Sequence, residues 1–408
     1  MRILIFLVLV IPGYVLGQNS TKFEIETRSG YEYNIFRDYP NNTGNDDQED
    51  PGIKSGFFQY SKFQFDWKKK VELHQFGIKA GAEFDYFPTV NNANRFKPAI
   101  SLNYTAKTGK YTSLIAKSKF SIYRTRKGAA EEVIGGIPSP YRKLDLSLGY
   151  KFRPIKYNKT LIEASYINKT YDPFNERQYK YNSLEMKVRS TQRFKKKDKS
   201  SSYLTMEYEF QRRQSKNSFT GYPDEAFFDE PEFDEFEEEE GEEGEFEEDE
   251  EAVSEEDFFD SEDLFREGLW LYHNLKLEYT FRTSSTLKWK TGLVLSQRTD
   301  KQEELYGYRQ IRPFVELAFK DKKIELKWKT SAVFRQYTDL TADQNDNILL
   351  RQTYLRSSIR AAYQVKEPFF LTFKAALVNR SRNMPSGRNS RFLPYTNGEV
   401  SVGVRVVF

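Results

Sequence analysis

The sequence predicts an all-β chain closed into an antiparallel barrel, and three observations carry that expectation. Apolar and polar residues alternate with period two along most of the chain, the alternating segments number about 16, and short connections take turns with long polar ones. Successive side chains of a strand point to opposite faces, so a period of two marks segments with one dry and one wet side. Few stretches offer helical spacing in competition.

The first element is of another kind. In MRILIFLVLVIPGYVLGQNS, Arg2 precedes an apolar run from Ile3 to Val15, and the chain turns polar at Gln18. The run is too short to cross a bilayer, and its order matches a secretory signal peptide, residues 1–17, cleaved after Gly17. Residues 18–408 are then a single domain. Strands are expected at 21–36, 57–68, 72–87, 96–107, 111–124, 141–153, 160–171, 178–193, 201–214, 268–282, 286–299, 308–320, 323–337, 349–365, 369–382 and 397–408. Phe76, Ile78, Ala80, Ala82, Phe84 and Tyr86 alternate with Gly77, Lys79, Gly81, Glu83 and Asp85. Leu144, Leu146, Leu148 and Tyr150 alternate with Asp145, Ser147, Gly149 and Lys151. In the last segment, EVSVGVRVVF, Val400, Val402, Val404, Val406 and Phe408 share one face, while Glu399, Ser401, Gly403 and Arg405 share the other.

Turn-like connections are expected at Lys68-Lys69-Lys70, Thr108-Gly109-Lys110, Thr283-Ser284-Ser285, Asp321-Lys322 and Lys366-Glu367-Pro368. Long polar ones fall at 37–56, 88–95, 125–140, 215–267, 338–348 and 383–396. An even strand number, strands near ten residues, and short turns at one end with long loops at the other describe a transmembrane up-and-down β-barrel. Closure removes the sheet edges that so many amphipathic strands would otherwise leave unpaired. A soluble sandwich or propeller would need shorter strands, a Gly- or Trp-marked repeat, and some cover for the dry faces.

The signal peptide, the absence of cysteine, the terminal strand and the C-terminal Phe408 together resemble Gram-negative outer-membrane proteins. The Gly17-Gln18 junction and the wealth of Lys, Asn and Tyr are similar to chains from the Bacteroidota. The resemblance spans nearly all of the mature chain but is architectural, and no motif narrows the family. It implies an outer-membrane location, outer-membrane lipid around the barrel, and Phe408 as part of the sorting signal read by the barrel-assembly machinery.

If the apolar parity meets lipid, the other parity lines the lumen. Before residue 215 that face carries Glu24, Glu26, Arg28, Glu32, Lys79, Glu83, Asp85, Lys117, Lys119, Asp145, Lys151, Glu163, Lys187 and Glu207, which roughly cancel. After residue 267 it carries Lys276, Arg282, Lys288, Lys290, Arg298, Arg312, Lys320, Lys327, Lys329, Arg335, Arg356, Arg360, Lys374, Arg380 and Arg405, against Glu278, Glu316, Glu325 and Glu399. Taken singly, each is a solvated lumen residue. Together they make a basic wall, because a narrow low-dielectric channel focuses field and concentrates anions.

Between the two halves lies FDEFEEEEGEEGEFEEDEEAVSEEDFFDSEDLF, from Phe233 to Phe265. Residues 224–267 hold 26 acids and one base, Arg266, so a chain of net charge +3 carries +28 elsewhere. Such a composition cannot bury enough apolar area to order itself, and a disordered extracellular loop is the plainest reading. Phe233, Phe236, Phe246, Phe258 and Phe259, interleaved with Glu237, Glu238, Glu239 and Glu240, point further. Acidic–hydrophobic mixtures engage something. It could be a lid on the basic wall or a docking segment for a surface partner. Weak divalent-cation binding by the acidic segments, including Asn45–Asp50, also fits.

No cofactor site, nucleophile elbow, phosphate loop or zinc motif is present. The barrel phospholipases place a serine two residues beyond a surface histidine, whereas His74 and His273 are followed there by Phe76 and Leu275. Neither histidine has the neighbouring acid of the barrel proteases. Asp343-Gln344-Asn345-Asp346-Asn347 begins like a calcium loop but meets Ile348 and Tyr354 where glycine and glutamate belong. Catalysis and nucleic-acid partners are therefore not expected. Two functions stay open: a porin-like channel for small anionic or polar solutes, or a non-transporting docking barrel within a larger outer-membrane assembly, secretion or uptake complex.

Overall fold

The computed structural model describes residues 19–33, 55–90, 93–125, 140–171, 180–195, 201–219, 265–283, 286–301, 307–341, 348–383 and 394–408. They form sixteen strands: β1 (Asn19–Tyr33), β2 (Gly56–Val71), β3 (His74–Tyr86), β4 (Arg95–Gly109), β5 (Thr112–Thr125), β6 (Tyr141–Phe152), β7 (Asn158–Tyr171), β8 (Lys180–Lys195), β9 (Ser201–Phe219), β10 (Phe265–Arg282), β11 (Leu287–Asp300), β12 (Tyr308–Lys320), β13 (Ile324–Thr341), β14 (Leu349–Lys366), β15 (Phe369–Arg382) and β16 (Tyr395–Val407). Each pairs antiparallel with its sequence neighbours, and β1 pairs with β16 to close the barrel. The expected signal peptide, residues 1–17, lies outside the described residues, as do Phe233, Phe236, Glu237, Glu238, Glu239, Glu240, Phe246, Phe258 and Phe259.

Two ends are distinct. Tight turns join β2 to β3, β4 to β5, β12 to β13 and β14 to β15 at one end, which also holds Phe23 and Phe408. The longer connections leave from the other. A 13-residue strand such as β16 runs about 43 Å at ~3.3 Å per residue. Tilted by roughly 40°, it stands about 33 Å tall, enough for a hydrocarbon core of about 30 Å.

The alternation read from the sequence becomes the barrel's two faces. Leu144, Leu146 and Leu148 of β6, Leu184, Met186 and Val188 of β8, and Val400, Val402 and Val404 of β16 all stand exposed on the outside. Aromatics mark both margins of this apolar band, with Tyr150, Trp289, Tyr363 and Phe369 towards the tight turns and Tyr31, Tyr33, Phe57, Tyr86 and Phe96 towards the longer connections. The polar parity faces inward.

At the closing seam, the Phe408 N–H donates to Phe23 O at 2.8 Å and the Phe23 N–H donates to Phe408 O at 3.0 Å. Their rings lie 6.5 Å apart, centroid to centroid. Gly403 stands opposite Arg28 in this seam, and a Cβ there would lie 2.0 Å from Thr27 O and 2.6 Å from Arg28 Cγ. Only glycine lets the backbones and the Arg28 stem approach this closely.

Several boundaries shift by a few residues, as at Thr108-Gly109, which belong to β4 so that the turn falls at Lys110-Tyr111, and two differences matter most. Lys68-Lys69-Lys70 is no turn: Lys69 pairs with Phe76 and Lys70 with Gln75, and the chain reverses at Glu72-Leu73. Glu72 takes φ 50°, a left-handed conformation of the kind a two-residue hairpin loop requires. Three adjacent lysines look like a turn only because charge suggests solvent, yet a strand at a barrel rim tolerates them. The acidic connection is also shorter than 215–267, because Phe219 pairs with Phe265 and Ser218 with Arg266.

Candidate functional site: the inner wall

The structure places Lys276, Lys290, Arg298, Arg335, Lys374, Arg380 and Arg405 on the polar parity of β10 to β16. Glu278, Glu316, Glu325 and Glu399 each hold at least one cation. Lys276 Nζ lies 2.8 Å from Glu278, Lys290 Nζ 3.5 Å from Glu316, and Lys374 Nζ 2.8 Å from Glu399. Arg405 Nη2 reaches Glu325 at 2.5 Å, with Lys320 on the same carboxylate at 3.5 Å. The cations of this face outnumber its acids.

Burial divides the predicted residues in two. Lys290, Arg298, Arg335, Arg380 and Arg405 are buried, and Arg298 is 1% exposed. Lys276, Lys288, Arg312, Lys327, Lys329, Arg356 and Arg360 are half-buried and keep contact with the interior solvent. The second group faces the interior, while the first is packed within the wall.

Within the accessible group, register makes a cationic row. Lys327 of β13 stands directly opposite Arg360 of β14, and Arg360 directly opposite Lys374 of β15. Neighbouring strands are about 4.8 Å apart, so three cations share roughly 10 Å of wall. Like charges directly opposite one another destabilise a sheet. Glu399 bridges Lys374 at 2.8 Å, so the row is partly neutralised at its β15 end. Lys329 and Arg356 lie next along β13 and β14, each opposite a serine, Ser358 and Ser331.

Towards the longer connections the buried arginines lie against tyrosine rings. The Arg298 guanidinium is 4.7 Å from the Tyr308 ring centroid and that of Arg335 is 4.4 Å from the same ring. Arg335, Arg356 and Arg380 surround Tyr354 at 5.6, 5.8 and 5.6 Å. Arg380 also lies 5.8 Å from Tyr395. The pattern continues through the first half: Arg213 over Tyr181 at 4.3 Å, Lys169 over Tyr141 at 3.9 Å, Lys97 by Tyr123 at 5.5 Å, and Arg28 over Tyr60 at 4.1 Å. A cation over an aromatic face is attracted by the ring quadrupole, more strongly where water is excluded. Sequence reasoning missed this collar, although Tyr123 shares its parity with Lys117 and Lys119.

The inner face of β1 to β9 also differs from expectation. The acids and bases expected there roughly cancel, but Lys62, Arg95, Lys97, Lys143, Lys169, Arg189 and Arg213 add to it against Asp66, Glu185 and Glu209. Many of these charges are bridged. Arg95 lies 3.6 Å from Glu32 and 3.9 Å from Asp85, Lys117 3.6 Å from Glu163, and Lys187 3.4 Å from Glu209. Arg189 is held by Glu207. Beside them, Phe87 and Ala93 of the β3–β4 connection pack inward on Phe58 and Tyr60.

The histidines sit on the outer parity. His74 Nδ1 is 2.8 Å from the Tyr104 hydroxyl and His273 Nδ1 is 2.8 Å from that of Tyr208. Each is thus engaged by a tyrosine of the adjacent strand. Among the described residues no group of three His, Asp or Glu is placed to hold a metal ion. Phe408 is exposed at the seam described above.

No family model matches the chain, and no curated protein matches it. Among solved structures it is similar to the outer-membrane channel DcaP of Acinetobacter baumannii, at 10% identity over 96% of this chain and 97% of that one, with a TM-score of 0.47. CdiB from Acinetobacter baumannii is similar at 9% identity over 96% of this chain, with a TM-score of 0.46, and the siderophore receptor PirA from Acinetobacter baumannii at 8% over 96% of this chain and 81% of that one, with a TM-score of 0.40. The chain spans 60% of CdiB and 63% of the ferric citrate transporter FecA. These are likenesses of barrel architecture, and function has to be argued from the chain's own wall.

Proposed function

We propose that this chain is a porin-like channel of the Gram-negative outer membrane, whose cationic inner wall passes small anionic or polar solutes. The exposed apolar band and its aromatic margins support a bilayer around the barrel. The observation that carries the channel is the excess of cations over acids on the inner face of β10 to β16, with Lys327 directly opposite Arg360 and both half-buried inside a closed sixteen-strand barrel. Barrels of this strand number enclose an aqueous lumen, and fixed cations within a low-dielectric ring enrich anions there. On this reading the acidic segment between β9 and β10, with residues 224–264 rich in carboxylates, serves as a lid drawn to the basic wall. Its contacts are close ones, because screening weakens anything beyond about 8 Å at physiological salt.

Planar-bilayer recording tests both parts. The full mature chain conducts with anion preference, and replacing residues 221–263 with a short Gly-Ser linker raises its conductance. Silence from both forms, with a co-purifying surface protein lost on deletion, refutes the channel and leaves the docking barrel.

A further inference from the structure

The outer face holds a feature that conduction does not use. Just beyond the apolar band, on the side of the longer connections, Arg124, Arg142, Lys180, Arg212, Arg309 and Arg351 stand exposed on the outward parity. Among the described residues, none of these side chains has a hydrogen bond, ion pair or ring contact. The inner wall treats its charges oppositely, bridging many of them. Apart from Asp339, beyond the irregularity in β13 and already hydrogen-bonded by Thr338, no acid of the described strands lies on the outward parity near them.

Their height on the barrel is defined by their neighbours. Arg142 is the outward residue next to Leu144, Arg212 next to Phe210, and Arg309 next to Ile311. Successive outward residues are about 6.6 Å apart along a strand, so Arg142, Arg212 and Arg309 lie one such step outside the apolar band, and Lys180 and Arg351 lie one step further, beyond Asn182 and Thr353. A cation on the lipid face costs several kcal/mol at the midplane but about 0–1 kcal/mol at the interface. This is headgroup depth.

Register also groups them. Arg142 lies opposite Thr170, and Thr170 opposite Lys180, in one row across β6, β7 and β8. Arg309 and Arg351 flank Gln336 in a second row across β12, β13 and β14. In each row two cations about 10 Å apart bracket a polar side chain. Guanidinium and ammonium groups so spaced suit phosphate monoesters, whose oxygens accept several charge-assisted hydrogen bonds.

We propose that these two rows bind the phosphates of anionic lipid headgroups in the leaflet on the long-connection side. This rests on the bilayer reading above but not on conduction. A cation near an anionic membrane surface contributes about a fivefold gain in affinity.

The test uses the full mature chain in phosphatidylcholine vesicles doped with diphosphoryl lipid A or with its dephosphorylated form. The readout is glycolipid retained per chain after detergent extraction, by mass spectrometry. Wild type retains the phosphorylated form preferentially. The variant R142Q/K180Q/R309Q/R351Q, checked for folding by heat-modifiable mobility, loses that preference, by about fivefold per cation removed. K69Q/K110Q/K322Q/K323Q, which removes as many charges at the tight-turn end, keeps it. If the quadruple variant does not fold, the two rows are neutralised separately. Equal retention by wild type and the folded belt variants overturns the proposal, whether the belt then meets the acidic segment or only water. So does an equal loss in the tight-turn variant. A barrel that conducts yet shows no phosphate preference refutes this inference and leaves the channel intact.

Discussion

Neutralising the cationic row, as K327Q/R360Q, separates its electrostatic role from any structural one. The two residues are directly opposite in adjacent strands, and both are half-buried on the inner face. A monovalent anion about 6 Å from each gains ~0.7 kcal/mol per cation at the dielectric constant of water. Screening with a Debye length of about 8 Å roughly halves this, leaving ~0.7 kcal/mol for the pair, or about threefold enrichment. A cation is depleted by the same factor, so the pair contributes about ninefold to the anion-to-cation permeability ratio, and more where the wall lowers the dielectric. The double variant should lose about that factor, measured as reversal potential in a salt gradient across a planar bilayer. Relief of the ~0.2–1 kcal/mol of repulsion between directly opposed like charges offsets the contacts the two side chains lose, so thermal unfolding should move little. Unchanged selectivity in a folded, conducting variant would refute the reasoning. A selectivity loss that only accompanies lowered stability would refute it as well.

Three further perturbations test the architecture. Glu325→Ala removes one carboxylate from Arg405, whose side chain is 9% exposed and which still lies 4.7 Å from the Phe370 ring, and should cost about 1.5–3 kcal/mol as a lost charge-assisted hydrogen bond. Lys320→Ala, which removes the 43%-exposed partner of the same carboxylate, should cost about 0–1 kcal/mol; urea unfolding in vesicles measures both. Gly403→Ala sets a methyl 2.0 Å from Thr27 O, so the seam backbones must part, and the fraction that folds into vesicles should drop by more than for Gly398→Ala, where the nearest atom is 3.7 Å away. Val402, 59% exposed on the outward parity in mid-strand, should tolerate arginine at a cost of about 2–4 kcal/mol if lipid surrounds it. A neutral effect of Val402→Arg on vesicle folding would contradict the bilayer assignment.

Side-chain parity was legible without coordinates because it is local: a strand's neighbours in sequence already alternate between its faces. Lys327, Lys329, Arg356 and Arg360 could therefore be assigned to one wall from spacing alone. Their adjacency could not. Opposition of Lys327 to Arg360 and of Arg360 to Lys374 depends on where β13, β14 and β15 reverse, and an error of one residue in a turn changes every partner. The lysines at 68–70 show how such an error arises, since charge is common to rims and turns. The tyrosine collar was hidden for a different reason. Tyrosine is at home on both faces here, outward at Tyr31 and Tyr86 and inward at Tyr123 and Tyr337, so its presence marks neither. The division of cations into buried and accessible sets likewise needs three dimensions, because it reflects neighbours from other strands.

Two of the ion pairs have a mechanical side. Arg95 on β4 reaches Glu32 on β1, and Arg405 on β16 reaches Glu325 on β13, so each spans an arc of four strands, one on either side of the junction between first and last. A chord keeps its length only while its arc keeps its curvature. Flattening or breathing of the cylinder would stretch both chords before it loosened a single ladder hydrogen bond. The join where the hoop was completed is thereby braced on both flanks against a change of curvature.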